Sequence, residues 1–291
     1  MTRTWLIKDR ALTIGQRTLV MGILNVTPDS FSDGGQFLSL ENAIDQGKRM
    51  HDDGADLIDV GGESTRPGRS GPVSAEEEID RVVPVINALA KALDVPISVD
   101  TTKSEVARAA LEAGAAIVND VSALRFDFYI ADAAARAGAG LILMHSRGTP
   151  ATMHRLPPVA DIMHEVTTSL SASVKMAERR GLKRESIAID PGIGFGKSQE
   201  QNLELIDKLD QVKAAFSDLP ILIGTSRKSF IGCILADETG DPAPADRRMY
   251  GSMATVAAAV MKGANIVRVH DVRAAIETVK VIDAILGKTA N

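Results

Sequence analysis

Carboxylates, amides and cations recur in this chain at the ends of short apolar runs. The runs close at Leu-Asn25, Ile-Asp59, Val-Asp100, Val-Asn119, Met-His145, Ile-Asp190, Gly-Thr225-Ser226 and Val-Arg268-Val-His270. From these ends we take Asn25, Asp100, Asn119, Asp190, Arg268 and His270, with nearby Lys228, as the candidate chemical groups. Asp and Asn suit a heteroaromatic ring that carries several N–H donors and a carbonyl. A buried carboxylate can accept two hydrogen bonds from an amino-pyrimidinone edge. Arg268 and His270, two residues apart at one run's end, suit an oxyanion such as phosphate.

Two apparent motifs carry no such chemistry. Pro191-Gly192-Ile193-Gly194-Phe195-Gly196-Lys197-Ser198 has the look of a phosphate loop, but Pro191 stands where the first glycine is required, and the glycines recur every second residue, unlike a dinucleotide fingerprint. These glycines are expected to let backbone or Phe195 approach a flat ligand. His145, His154 and His164 lack zinc-ligand spacing, and His154 and His164 are expected at the surface. Cys233 is the lone cysteine, in the apolar stretch Phe230-Ile231-Gly232-Cys233-Ile234-Leu235, and is expected to be a buried structural thiol.

The elements that must carry these groups alternate. Apolar runs at about 19–25, 56–60, 96–100, 115–119, 140–144, 187–190, 220–224 and 265–269 read as strands. Helical segments lie between them at about 40–54, 74–93, 103–114, 127–138, 160–180 and 199–216, then over 228–263 with a break at Gly240 and Pro242, and last to about 286. Ser74 and Glu77 form a candidate capping box, and Gly54 a C-cap. Strand then helix, eight times, is the pattern of a (β/α)8 TIM barrel, whose active site lies at the C-terminal ends of its strands. Residues 1–17 read as a short N-terminal β-hairpin, with Gly15 near a turn, and 18–291 as the barrel, together one domain. Alternation puts Met21, Ile23 and Asn25 on one face, as it does Ser98 with Asp100, Ala188 with Asp190, and Ile266 with Arg268 and His270. Of Asn119 and Asp120 only one can face inward; Asn119 is the choice, with Asp120 capping the next turn. Ser226-Arg227-Lys228-Ser229 falls after strand seven, where barrels often bind phosphate.

The 291 residues are 45% hydrophobic and carry a net charge of −5 without a basic tract, which argues against nucleic-acid binding. Charges at Arg3, Lys8, Asp9 and Arg10 interrupt any signal-peptide core, and the apolar stretch 253–261 is too short for a membrane span. A soluble, cytoplasmic protein without a membrane partner is expected. The loops 27–35 and 61–72, rich in Gly, Ser and Pro, both fall on the catalytic face and read as closing loops, with Phe31 as apolar cover.

Met21-Gly22-Ile23-Leu24-Asn25-Val26-Thr27-Pro28-Asp29-Ser30-Phe31-Ser32-Asp33-Gly34-Gly35 and Asp59-Val60-Gly61-Gly62-Glu63-Ser64-Thr65-Arg66-Pro67-Gly68 resemble the two signatures of the dihydropteroate synthase family. Ser98-Val99-Asp100-Thr101, Asn119-Asp120, Asp190-Pro191-Gly192, Ser226-Arg227-Lys228-Ser229 and Arg268-Val269-His270-Asp271 follow in the family's order. Ile193 departs from the Phe common in relatives, while Phe195 is kept. The resemblance implies condensation of 6-hydroxymethyl-7,8-dihydropterin pyrophosphate with p-aminobenzoate. It implies that Asp100, Asn119, Asp190 and Lys228 hold the pterin, and that Asn25, Arg268 and His270 hold the pyrophosphate, Asn25 also lying near Mg2+. Thr65, Arg66, Pro67, Phe195 and Ser226 would shape the p-aminobenzoate side, with Asp100, Lys228, Arg268 and His270 acting catalytically. A homodimer is implied in the same way. Two alternatives share the ring contacts: a pterin-dependent methyltransferase, which would not need the first loop or the Arg268/His270 pair, and a non-catalytic pterin-binding paralogue, which would have lost loop or anion residues.

Overall fold

The computed structural model describes residues 3–27, 35–63 and 73–288. Two short strands, β1 (Arg3–Ile7) and β2 (Arg10–Ile14), pair antiparallel ahead of the barrel. The barrel strands are β3 (Leu19–Asn25), β4 (Leu57–Gly61), β5 (Ile97–Asp100), β6 (Ile117–Asp120), β7 (Gly140–Met144), β8 (Ile187–Asp190), β9 (Leu222–Ile223) and β10 (Ile266–Val269). The helices between and after them are α1 (Gly35–Asp52), α2 (Ala75–Ala92), α3 (Ser104–Glu112), α4 (Tyr129–Ala137), α5 (Ile162–Arg179), α6 (Gln199–Asp207), α7 (Leu209–Ala215), α8 (Ser229–Ile234), α9 (Met249–Met261) and α10 (Val272–Ile285).

The eight barrel strands are all parallel, in the order β8-β7-β6-β5-β4-β3-β10-β9. A single bridge, Ile189 to Ile221, brings β8 and β9 together and nearly closes the ring. The result is the (β/α)8 barrel with an N-terminal hairpin that the alternation predicts. Strands buried on both faces must be apolar on both, so they read as runs rather than as alternation. Their two faces nevertheless feed two cores. Val20, Leu24, Ile58, Val60, Val99, Val118 and Leu143 pack outward against the helices. Leu19, Met21, Leu57, Ile117, Ile142, Ala188, Leu222 and Ile266 fill the barrel, together with Trp5, Ile7 and Ile14 of the hairpin. The hairpin therefore plugs the N-terminal end. Trp5 is fully buried, and its indole Nε1 donates to the Ser186 carbonyl at 3.0 Å.

Several expectations are corrected. The hairpin turn falls at Lys8-Asp9, and Gly15, with φ +99°, lies in the bend that follows β2. Ser74 does cap α2 by accepting from the Glu77 N–H at 3.1 Å, but the Glu77 carboxylate turns to Arg81 and does not close the box. The complete capping box is at α6, between Ser198 and Gln201. The segment 199–216 divides at Lys208 into α6 and α7, and β9 has only two residues where five were expected. Pro220 has no N–H for the ladder, and the Ile221 N–H donates to Asn265 Oδ1 at 3.0 Å rather than to a neighbouring strand. Cys233 is exposed, because the one-turn α8 buries Phe230, Ile231 and Gly232 and turns its other side outward. Among the described residues no helix is long and apolar enough to cross a membrane.

Candidate active site

The register of the strands builds the barrel mouth in layers. Asn25, Gly61, Asp100 and Asn119 lie side by side across β3, β4, β5 and β6, and Met144 lies beside Asp190 across β7 and β8. Laterally paired residues of parallel strands point to the same face, so the inward columns of β3, β5, β6 and β8 end on the polar groups Asn25, Asp100, Asn119 and Asp190, and those of β4 and β7 on Gly61 and Met144. One layer deeper, Ile23, Asp59 and Ser98 form the next row.

Arg268 of β10 reaches across this mouth. Its Nε donates to Asp59 Oδ2 and its Nη2 to Asp100 Oδ2, each at 2.6 Å. Asn119 Nδ2 donates to the same Asp59 oxygen at 2.9 Å. Asn119 therefore faces inward as expected. Asp120 accepts from the Ser122 N–H and hydroxyl and from the Leu124 N–H, so it shapes the following turn. Asp190 is buried and accepts from the Gly192 N–H at 2.7 Å. Gly192 has φ +71°, and a Cβ there would lie 1.8 Å from the His145 carbonyl oxygen, so this close loop needs glycine. Lys228 Nζ stands 4.0 Å from the centre of the Phe195 ring, a cation–π contact. Ser226 Oγ lies 3.1 Å from His270 Nδ1 and accepts from the His270 N–H at 3.2 Å.

Arg227, between Ser226 and Lys228, holds a left-handed φ of +57°. Such a conformation costs a non-glycine residue about 1–3 kcal/mol and survives only where its surroundings enforce it. Here they do: the Arg227 N–H donates to Ser252 Oγ at 2.9 Å, and its guanidinium pairs with Asp271. This ion pair ties the loop after β9 to the loop after β10, beside Ser226 and His270.

The electrostatics follow from burial. Loss of water pushes Asp100 up to about 7; Arg268 and Lys228 oppose the rise, and Asp59 and Glu78 add to it. Burial likewise raises Asp190 to about 6, against the Gly192 N–H and the Lys228 charge. Burial lowers Lys228 to about 8, helped by Arg268 and resisted by Asp190 and Asp100. Near neutral pH the mouth therefore holds groups that can change charge on small perturbation, a property that clusters at functional sites. His145 is buried and pushed down to about 2, chiefly by loss of water, so it stays neutral.

The structure brings together Asn25, Asp100, Asn119, Asp190, Phe195, Ser226, Lys228, Arg268 and His270 at the C-terminal rim. Thr65, Arg66, Pro67 and Phe31 lie outside the described residues. Beside Asp100 opens a cavity of about 270 Å³, reaching Lys103, Val121, Arg147 and Phe195. Three groups were missed. Asp59 is fully buried beneath the rim. Lys103 bridges Glu63 and Glu78 on the cavity wall. Lys197 donates to the carbonyls of Gly192 and Phe195 and fastens the loop after β8. For Asp59 a signal existed: it shares the parity of inward Leu57.

Residues 21–270 match the family model described as pterin binding enzyme, and that is the class that barrel and mouth together define. The chain is 51% identical over 271 residues to the dihydropteroate synthase of Synechocystis sp., covering 93% of this chain and 91% of that protein. It superimposes with a TM-score of 0.88, at 41% identity, on the Xanthomonas albilineans dihydropteroate synthase solved with 4-aminobenzoic acid, covering 98% of this chain and 99% of that one. The Clostridium difficile dihydropteroate synthase, solved in the presence of pteroic acid, gives a TM-score of 0.86 at 45% identity, covering 94% and 98%. The chain belongs to the pterin-binding enzyme family and, within it, to the dihydropteroate synthases.

Proposed function

We propose that this enzyme condenses 6-hydroxymethyl-7,8-dihydropterin pyrophosphate with p-aminobenzoate, giving 7,8-dihydropteroate and pyrophosphate. The observation that carries the reading is Arg268, whose guanidinium spans Asp59 and Asp100 at the mouth and so joins a ring-binding carboxylate to an anion-binding cation. On this reading Asp190, Asn119, Asp100 and Lys228 hold the pterin, and Asp190 reads its amino-pyrimidinone edge. Arg268, His270 and Asn25 hold the pyrophosphate. Phe195 and Ser226, with Thr65, Arg66 and Pro67, form the p-aminobenzoate side, and loops 27–35 and 61–72 close over it.

The bond from the pterin CH2 to the pyrophosphate oxygen breaks with its electron pair leaving on pyrophosphate. The cation left on CH2 is delocalised into the electron-rich ring and stabilised by the Asp100 carboxylate in a site shielded from water. The neutral arylamine nitrogen then bonds to CH2 and passes a proton to the released pyrophosphate. Arg268 and His270 stabilise the departing anion. Asn25 offers one hard oxygen donor at the mouth. Among the described residues no group of three His, Cys, Asp or Glu side chains is placed to cage an ion. Asn25 would hold Mg2+ through that oxygen, and bound Mg2+ would neutralise charge on the leaving group.

We place the enzyme in the cytoplasm, as a single-domain protomer of a homodimer. The apolar residues Tyr250 and Met261 on α9, and Val281 and Ile285 on α10, are all more than half exposed on helices that pack side by side. A second copy burying the same stripe would make an isologous interface. Val281→Asp with Ile285→Asp should yield a monomer in analytical ultracentrifugation.

Turnover of the pterin pyrophosphate with p-aminobenzoate, read as dihydropteroate formed, tests the reaction; no product with folded, Mg2+-supplied enzyme rejects it. Scrambling of the bridging oxygen in labelled pterin pyrophosphate, without p-aminobenzoate, tests the cation. Normal turnover with no scrambling would favour direct displacement.

A further inference from the structure

Asp59 is the group the reaction as derived does not use. It lies one layer below the rim on β4, fully buried, with Ile23 and Ser98 as its lateral neighbours. Arg268 approaches it from β10 and Asn119 from β6, and both donate to the one oxygen Oδ2. Its other oxygen, Oδ1, is buried and has no hydrogen-bond partner among the described residues. A buried carboxylate with half its acceptors unused destabilises a fold. Packing therefore gives no reason for an acid at this depth. Its contacts do: one is the side chain assigned to the leaving group, the other a side chain assigned to the ring.

We propose that Asp59 is a positioning residue that anchors Arg268 through Nε and Asn119 through Nδ2, so that the anion-binding and ring-binding halves of the site are held in one register. The inference rests on the functional reading above. The two contacts of Arg268 differ in kind. Asp100 stands at the rim, where ring N–H donors compete for its oxygens. Asp59 lies beneath, out of their reach. When a ring takes Asp100, the guanidinium loses Nη2 and keeps Nε. It turns about that anchor with its Nη edge toward the leaving group, and charge stays within reach of the breaking bond. Without the anchor Arg268 has only Asp100 to follow.

Asp59→Asn keeps shape and one acceptor while removing the charge. With wild-type enzyme as reference, kcat should fall and the Kd for inorganic pyrophosphate should rise, each by about tenfold to a hundredfold, the range for losing a hydrogen bond to a charged group. The thermal midpoint should hold or rise. Combined with Arg268→Ala, the loss in pyrophosphate affinity should be no greater than for Arg268→Ala alone, because both changes remove one anchored cation. The pH profile gives a readout that a merely structural role would leave in place. Asp100 is faced by Arg268 of β10 and Lys228 before α8, which lower it, and by Asp59 of β4 and Glu78 of α2, which raise it. Neutralising Asp59 should therefore move the acid limb to lower pH. Unchanged kcat and pyrophosphate affinity, losses that add to those of Arg268→Ala, or an unmoved acid limb would overturn the proposal.

If Asp59→Asn does not fold, wild-type protein labelled with 15N-arginine still decides. The Arg268 Nε–H, identified by its loss in Arg268→Lys, should resist solvent exchange and stay in place when pyrophosphate is added, while the Nη signals move. Free exchange of Nε–H, or its displacement by pyrophosphate, would reject the anchor. Failure of wild-type turnover would reject the functional reading instead, and leaves this measurement standing as a test of the Arg268–Asp59 contact.

Discussion

The two ends of the barrel are built from the same inward columns of the same strands, yet they obey opposite rules. At the N-terminal end Trp5, Ile7, Leu19, Met21, Leu57 and Ile266 are almost fully buried and apolar, and the single indole N–H has its acceptor. At the C-terminal end, a layer or two higher, Asp59, Asp100, Asn119, Asp190, Lys228 and Arg268 crowd together, and one oxygen of Asp59 has no protein partner among the described residues. The lower end satisfies each group it buries. The upper end keeps charges in a dry place at a cost in stability, which is the condition for electrostatic binding and catalysis. One fold thus assigns stability and chemistry to opposite ends of its strands.

The largest test is at the lower end. Trp5→Ala should cost about 3–5 kcal/mol of unfolding free energy, the usual range for deleting a fully buried aromatic. Affinity for pterin and pyrophosphate should barely change at temperatures where the variant stays folded. Denaturant titration and calorimetry measure the two sides; a large loss of ligand affinity would mean the ends are coupled. At the upper end Asp190→Asn should do the reverse. On the proposed reading it replaces an acceptor by a donor facing the ring N–H, and pterin affinity should fall by roughly 2–4 kcal/mol. Unfolding free energy should hold steady or rise, since a buried charge is removed. Unchanged pterin affinity would take Asp190 out of the site.

How much of this was legible in the sequence follows the same division. The strand ends could be read because parallel strands are apolar on both faces, so a polar terminator stands out. Parity showed that only one of Asn119 and Asp120 faces inward, and the Asn119–Asp59 contact bears out the choice of Asn119. Asp59 also ends a run, but its role depends on Arg268, 209 residues away, and no local pattern encodes that bond. The Arg227–Asp271 pair and the left-handed turn at Arg227 were hidden for the same reason. Cys233 was misread because its apolar neighbours mark a helix too short for their spacing to reveal its buried face. Lys208, where α6 gives way to α7, has no sequence feature that explains the break.

Next in size is the response to pH. The carboxyls of Asp100 and Asp190 are raised to about 7 and 6 by burial, while burial lowers Lys228 to about 8. A carboxyl raised on folding adds stability fully below its unfolded value, and this is lost as pH rises through the folded value. A lysine lowered on folding adds stability above its unfolded value, lost as pH falls through the folded one. All three groups therefore reduce stability when charged, and all are charged together only between about 7 and 8. If ligands need Asp100 and Asp190 ionised and Lys228 protonated, kcat/KM should be bell-shaped, with its acid limb at about 6–7 and its basic limb near 8. The basic limb approaches tenfold per pH unit, or about 1.4 kcal/mol, and the acid limb approaches twice that below about 6, where both carboxyls take up a proton. A flat profile from pH 5 to 9 would show that these charges do not serve the reaction.

The smallest test has both effects in one methyl group. Gly61 lies in the upper row between Asn25 and Asp100. A Cβ added there would stand 3.5 Å from Asp100 Cβ and 3.8 Å from its Oδ2, ordinary contact that needs no rearrangement. Its φ does not demand glycine, since Gly61 is absent from the positive-φ positions. Glycine within a strand loses more backbone entropy on folding than alanine would, by about 0.5–1 kcal/mol. Gly61→Ala should therefore stabilise the fold by about that amount. The same methyl fills space beside the carboxylate proposed to receive the ring, so pterin affinity should weaken by about 1 kcal/mol, one methylene's worth of misfit. Thermal unfolding and calorimetry on one preparation read both signs. Opposite signs would confirm that the upper end keeps a glycine for its ligand rather than for its fold. A variant more stable and equally tight would place the ring away from Gly61, and with it away from the Asp100 side of the mouth.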